Sequence, residues 1–437
     1  EGALAQRPEG KEYSDKNLHV AVATVQPGTG AIRGFYGGQD YLQSQINWAV
    51  TGGQAGSTFK PFAVAAALKD GFSLKDSFEG NSPFYYNEEG TGPKVRNEGT
   101  GSDGLGTDYG AAVSLLRGTE DSINTVFADL TVSMPDGPDK ILKTAEDLGI
   151  PNWNKNKGGY NNLDNSPGLE PIAGIALGSA TIAPVNMANA YATIANGGRR
   201  ADAHVVTKVE SKDGEPLYSY KQHTERAVSE DVAADTSYAM QQVVKTGTGT
   251  AALGLGRPAA GKTGTATNGF DQVSSAWFVG YTPQLATAVM YVRGKGQGQL
   301  DGWLPEYFGG SYPARTWTDV MTRDLEGTDT ESFPPPANLD GEAPDDGHAP
   351  YTPPPKPSKK PKPSKTPSDK PSKTPKPSDI PTPSNTPTPS DPGSCGLVGC
   401  PPPSDPVTTP PADPASTPPA QEPVGRVRHG RRRVRQG

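Results

Sequence analysis

The sequence predicts a mixed α/β domain of the α+β kind, its antiparallel sheet formed by both chain ends and packed with helices, and then a disordered C-terminal tail. Three observations lead there. Apolar, strand-like runs stand at residues 18–25 and 31–36, and again at 262–267, 275–281 and 286–292. Alanine-rich or amphipathic helical stretches fill the interval between them. From about Phe333 onward apolar residues nearly vanish and Pro-Ser-Lys-Thr units recur, a composition that cannot bury enough surface to offset its conformational entropy. The resulting organisation is a polar linker remnant at 1–17, a body at 18–333 and a disordered, polyproline-like tail at 334–437.

Taken in order, 18–25 and 31–36 form a hairpin around the turn residues Pro27-Gly28-Thr29-Gly30. A buried, alanine-rich helix begins near Ser57, tolerates Pro61 in its first turn and stops at Gly71. Residues 72–110 are Gly-, Asn- and Glu-rich, which predicts loops and a short hairpin. Helices are expected at 111–116 and 124–130, with residues 117–124 a loop turning into the second. Further helices are expected at 138–149, ending on Gly149, at 185–196, closed by Gly197-Gly198, and at 230–245. A peripheral hairpin turns at Asp213-Gly214, and a last helix at 314–325 follows the three C-terminal strands.

The net charge of −7 hides an acidic body and an Arg-rich end, Arg426 to Arg435. Such an end attracts nucleic acid, anionic wall polymer or lipid headgroups alike, and charge alone does not choose among them. Both cysteines, Cys395 and Cys400, lie in the tail. They are too few for a four-ligand metal site; free thiols and a small local disulfide both remain open. No apolar run reaches membrane-spanning length, no signal peptide is evident in the sequence, and it starts at Glu1 rather than Met, so it is expected to be a processed or excised portion of a longer chain.

Chemistry concentrates in three polar motifs. In Ser57-x-x-Lys60, Ser57 stands at a helix N-terminus, where the macrodipole favours developing negative charge. Lys60 lies one turn on, on the same face. A serine hydroxyl needs a base to become a nucleophile, and a desolvated lysine of lowered pKa can serve. Taken alone, the pair reads as a capping serine with a surface lysine. Ser122-Ile123-Asn124 and Lys262-Thr263-Gly264-Thr265 follow, and these too have plain alternatives: helix caps and an ordinary strand threonine. Gly256 to Thr263 matches the phosphate-loop pattern, but a strand rather than a helix is expected after Lys262. Lys245-Thr246-Gly247 ends a helix, a structural position, and Gly247-Thr248-Gly249 has no strand before it. The five histidines are scattered outside the motifs, which leaves a Ser-His-Asp triad without support.

S-x-x-K, a second serine motif and K-T-G, in that order, are the set found in penicillin-binding proteins and class A β-lactamases. The stretches 41–47, 56–62, 190–198, 261–265 and 276–281 together resemble the transpeptidase domain of class A penicillin-binding proteins across nearly the whole body. The resemblance implies a β-lactamase/transpeptidase-like fold. It implies that Ser57 attacks the carbonyl between the last two D-alanines of a peptidoglycan stem peptide, and that Lys60 accepts its proton. Ser122, with Lys262 nearby, would relay a proton to the leaving amine, and Asn124 would hold Lys60 and the substrate amide. Thr263, Gly264 and Thr265 would line the substrate, the threonines contacting its carboxylate or the acid group of a β-lactam, with the Ser57 and Thr265 N–H groups as oxyanion hole. No metal or organic cofactor is implied, no nucleic-acid partner is expected, and the place of action would be the outer face of the bacterial cytoplasmic membrane. Anionic wall polymer or membrane would then be the partner of the basic tail. Two other readings share the motifs: a DD-carboxypeptidase or β-lactam hydrolase, for which Glu170 is the tempting water-activating residue, and a non-catalytic β-lactam sensor or wall-binding module.

Overall fold

The computed structural model describes residues 18–339, apart from 39, 40, 43, 88, 102, 302 and 305. The linker remnant, the basic end, Cys395 and Cys400 therefore lie outside the described residues. Five strands make the main sheet: β1 (Leu18–Val25), β2 (Ile32–Tyr36), β3 (Ala260–Thr267), β4 (Val273–Tyr281) and β5 (Ala286–Arg293), in the order β3-β4-β5-β1-β2. All neighbours are antiparallel, and β1 pairs with β5 from Leu18↔Arg293 to Val25↔Ala286. Strands from the beginning and the later part of the body thus meet within the sheet, as the apolar runs predict.

Seven helices of the body matter here: α1 (Lys60–Lys69), α2 (Leu115–Glu120), α3 (Asn124–Ser133), α4 (Gly137–Leu148), α5 (Pro184–Ala195), α6 (Glu230–Lys245) and α7 (Tyr312–Asp324). Side chains alternate across β1, so Ala21, Ala23 and Val25 join the core of α1, α5 and α6 while Val20 and Val22 join that of α7. Both sheet faces are covered, which is why the strands read as near-continuous apolar runs rather than alternating ones. Helix α1 is buried along almost its whole length, and its alanines leave room for both α4 and α6 to pack against it.

Three expectations are corrected. The helix expected at 111–116 starts later: Val113–Ser114 pairs with Ser77–Phe78, and α2 begins at Leu115 with Ser114 Oγ accepting from Arg117 N at 3.2 Å. An N-capping serine after a β-branched residue marks a strand-to-helix switch, a signal that outweighs the apolar count. For the same reason Arg117 to Glu120 are helical rather than loop. The ordered body also extends past residue 333. Asp235, 1% exposed on α6, accepts from Asn338 N at 2.9 Å and Leu339 N at 2.8 Å, and Phe333 packs edge-on against Tyr281. A proline-rich stretch offers few hydrogen bonds of its own, and here a buried carboxylate and the packing of Phe333 and Leu339 on the core hold it.

Replacing that carboxylate leaves two N–H groups unmatched. Asp235→Ala is expected to lower stability by about 1–3 kcal/mol in urea unfolding and to expose residues 334–339 to protease. Unchanged midpoint and cleavage would show the strap to be unanchored there.

Candidate active site

The approach to Ser57 is fixed by backbone contacts. Ala55 N donates to Ala180 O at 3.0 Å and Gly56 N to Gly178 O at 2.8 Å, while Gln54 O accepts from Ser275 Oγ at 2.6 Å and Trp277 Nε1 at 2.7 Å. Gly56–Phe59 is a 3-10 turn that runs into α1, and Tyr191 OH donates to Thr58 O at 2.8 Å from behind. Gly56 has φ +55°, and a Cβ there would lie 2.8 Å from Thr265 O. A Cβ on Gly264 would lie 2.6 Å from Ala55 O. Both positions need glycine, because strand β3 and the Ser57 turn touch backbone to backbone. Strand β3 is an edge of the sheet, and the Ser57 turn lies against its Gly264 and Thr265.

Lys60 is fully buried rather than a surface lysine, and Ser57 caps nothing: the residue before α1 is Phe59, with no side-chain cap bond. Lys60 Nζ donates to Ser122 O at 2.7 Å, Asn124 Oδ1 at 2.8 Å and Ser122 Oγ at 3.2 Å, and it lies 5.1 Å from the Phe127 ring centre. The sequence pairs Lys60 with Ser57; the hydrogen bonds run instead to the second motif, with Ser57 one helical turn away. Burial, then the charge of Lys262, holds Lys60 well below the usual lysine range, with Glu98 opposing. Lys262, also fully buried, is brought down to about 7 by desolvation. In the neutral Lys60 amine two N–H groups serve the two short acceptors, leaving a lone pair for a hydroxyl proton.

The second motif does no capping either. Ile123, not Ser122, precedes α3, and it makes no side-chain cap bond. Ser122 has φ +60°, a conformation costing about 1–2 kcal/mol in a residue other than glycine. Ile123 N to Gly118 O, at 2.9 Å, secures the turn that points both Ser122 oxygens at Lys60. Asn124 Nδ2 donates to Arg96 O at 2.9 Å, which fixes the amide so that its oxygen faces Lys60.

On β3, Lys262 Nζ donates to Thr263 O at 3.1 Å and lies 3.5 Å from Thr263 Oγ1. Thr265 Oγ1 accepts from Gly309 N at 3.3 Å. The three motifs singled out from sequence therefore gather in one region, Lys60 bridging to the second motif and Gly264 and Thr265 meeting the Ser57 turn. The phosphate-loop reading fails, since Lys262 lies inside a strand and Gly256 ends a 3-10 turn. Glu170, the candidate water activator, is an exposed partner of Lys155 at 2.5 Å. Sequence reasoning missed Thr248, whose Oγ1 is 2.7 Å from Thr263 Oγ1, and Asn97, which accepts from Thr125 N at 3.0 Å and supports the start of α3. Asn97 stands in a segment without periodicity, and nothing in its neighbours marks it.

A serine at a helix start, a desolvated lysine beside it and a glycine-lined strand edge belong to a serine acyl-transfer enzyme of mixed helix-and-sheet fold. The family described as the penicillin binding protein transpeptidase domain matches residues 20–322, and the chain belongs to it. Penicillin-binding protein 1A of Mycolicibacterium smegmatis is 33% identical over 79% of this chain and 42% of its own length, and that of Mycobacterium tuberculosis 32% over 78% and 40%. The chain thus spans about two fifths of the length of these curated relatives. Among solved structures, the PonA1 protein of Mycobacterium tuberculosis in complex with penicillin V superposes with a TM-score of 0.65 at 30% identity, covering 82% of this chain and 88% of that one. Penicillin-binding protein 1A from Haemophilus influenzae, at 20% identity and TM-score 0.60 over 74% of this chain and 51% of that one, shares the fold.

The buried lysine charge has a thermodynamic consequence. A folded pKa of about 7 for Lys262, below its unfolded value, means that the unfolded chain binds more protons above that pH, so stability rises from about pH 7 towards 10.5. Lys262→Met is expected to reduce that slope, leaving the share that the equally buried Lys60 contributes. It should also raise stability at pH 6 by a few kcal/mol, since each tenfold loss of proton affinity on burial costs the charged form about 1.4 kcal/mol. Thermal unfolding across pH checks it; a variant less stable than the parent at pH 6 contradicts the assignment.

Proposed function

We propose that the chain is a peptidoglycan DD-transpeptidase acting through a Ser57 acyl-enzyme and acylated by β-lactams. The observation that carries the reading is the buried Lys60 amine, hydrogen-bonded to Ser122 and Asn124 beside the Ser57 turn. Ser57 Oγ bonds to the carbonyl carbon between the last two D-alanines as its proton passes to Lys60. Backbone N–H groups of Ser57 and Thr265 receive the oxyanion, a pairing that the close approach of Gly56 to the Thr265 backbone supports. The C–N bond then breaks, and the departing D-alanine amine takes a proton through Ser122, with Lys262 adjacent. An amine of a second stem peptide attacks the ester, forms the new amide, gives its proton back through Lys60 and frees Ser57. Peptide bond is exchanged for peptide bond, so the step needs no external energy source.

Thr263 and Thr265 receive the terminal carboxylate in this reading, and the open edge of β3 lets a peptide lie alongside as an added strand. The hydrolase alternative has less to recommend it: Glu170 is held in a surface ion pair with Lys155. The substrate lies outside the cytoplasm, which would place the domain at the cell envelope.

Intact-mass analysis after incubation with a β-lactam tests the nucleophile. One adduct is expected on the parent chain, none on Ser57→Ala, and acylation slowed about 10²–10⁴-fold in Lys60→Ala, the usual scale for losing a general base. A stem pentapeptide with a diamino acceptor should yield the amide rather than the hydrolysed tetrapeptide. Hydrolysed product alone would instead make it a carboxypeptidase.

Acylation should also depend on the charge of Lys262. Its ammonium attracts the ligand's acid group below about pH 7 and is lost above it. The pre-acylation affinity for a carboxylate β-lactam is expected to weaken as pH rises through that value, and a flat profile from about pH 6 to 9 would refute the role.

A further inference from the structure

Thr263 Oγ1 has one proton to give and two lone pairs to fill. Lys262 Nζ approaches one side at 3.5 Å, and Thr248 Oγ1 stands at 2.7 Å on another. If both neighbours donate, the Thr263 proton is free for the cleft. If Thr263 donates to Thr248 instead, an arriving carboxylate meets a lone pair and is repelled. A hydrogen bond received from Thr248 therefore both fixes this rotor towards the cleft and polarises the Thr263 O–H for an anion, an effect lost when the Thr248 hydroxyl is removed.

Thr248 is itself exposed, yet its backbone is held from several sides. Thr248 N donates to Glu120 O at 3.2 Å, at the end of α2 and two residues before Ser122. Gly247 packs on the same Glu120 carbonyl, Gly249 N donates to Val243 O at 2.9 Å, and Gly310 leaves no room for a Cβ beside Thr248 O. Exposed threonines on loops ordinarily turn their hydroxyls to water. This one is carried on a pinned backbone and directed at a buried hydroxyl of the site, 6% exposed.

We propose that Thr248 is a positioning residue for anion recognition: its hydroxyl donates to Thr263 Oγ1, which commits the Thr263 proton to the acid group of the ligand. The assignment rests on the acylation reading above and extends it to a residue outside the three motifs. Because Thr248 N is bonded to Glu120, the same residue joins the end of α2, just before Ser122, to β3.

The test is stopped-flow acylation of the full chain by a chromogenic cephalosporin carboxylate and by its methyl ester, in parent, Thr248→Val, Thr248→Ala and Thr248→Ser proteins of matched melting temperature. Removing the hydroxyl should weaken the pre-acylation complex with the carboxylate about tenfold, the scale of one hydrogen bond supporting a charged contact, and leave the limiting acylation rate within about twofold. Serine should restore the parent affinity, and the ester should bind the valine and alanine variants as it binds the parent. Parent-like carboxylate binding in Thr248→Val, an equal loss for ester and carboxylate, or failure of serine to restore affinity would each overturn the assignment. A parent protein that takes no acyl group at all overturns the acylation reading instead, a result visible before any variant is compared.

Discussion

Burying two lysine side chains whose hydrogen bonds, among the described residues, go to no carboxylate is the constraint on which the site depends. Lys60 and Lys262 are both fully buried, and the charge of Lys262 disfavours a charge on Lys60. Water would keep both protonated; the apolar surroundings keep Lys60 ready to accept a proton. That readiness carries a cost in stability, met elsewhere by a core in which α1, α5 and the sheet pack closely.

The geometry that holds Lys60 is distributed over three parts of the chain. Helix α1 brings the amine, the strained turn at Ser122 brings two oxygens, and Asn124 brings a third whose orientation Arg96 O enforces. Any one of these groups alone would satisfy only part of a buried amine. Strain at Ser122 is tolerated because its neighbours Gly118 and Thr119 accept the backbone N–H groups around it. On the other side, glycines at 56 and 264 let the nucleophile's turn and the edge strand meet without intervening side chains. The cleft is thus formed by close backbone approach as much as by side-chain chemistry.

Most of the fold was legible from the sequence, since periodicity and punctuation agree in its strongest elements. The five sheet strands, α1, and the helices closed by Gly149 and by Gly197-Gly198 lie where apolar pattern and stop signals coincide. The errors fell where signals competed. At 111–116 the apolar count suggested a helix while Ser114 was acting as its cap. At 334–339 composition alone suggested a tail, yet a buried carboxylate elsewhere in the chain holds the segment. An acceptor more than a hundred residues away leaves no local trace.

The chemical inventory is legible in residue types and spacings alone: a serine and a lysine one turn apart at a helix start, a second serine-and-asparagine motif, and a lysine-threonine-glycine strand. These are local patterns, set by residue type and spacing, and local patterns survive without coordinates. It takes the folded chain to turn Lys60 to Ser122 and Asn124, to remove both lysines from water, and to set Thr248 against Thr263. Desolvation and hydroxyl orientation arise from segments brought together across long stretches of chain, and neither is encoded in any single stretch of it.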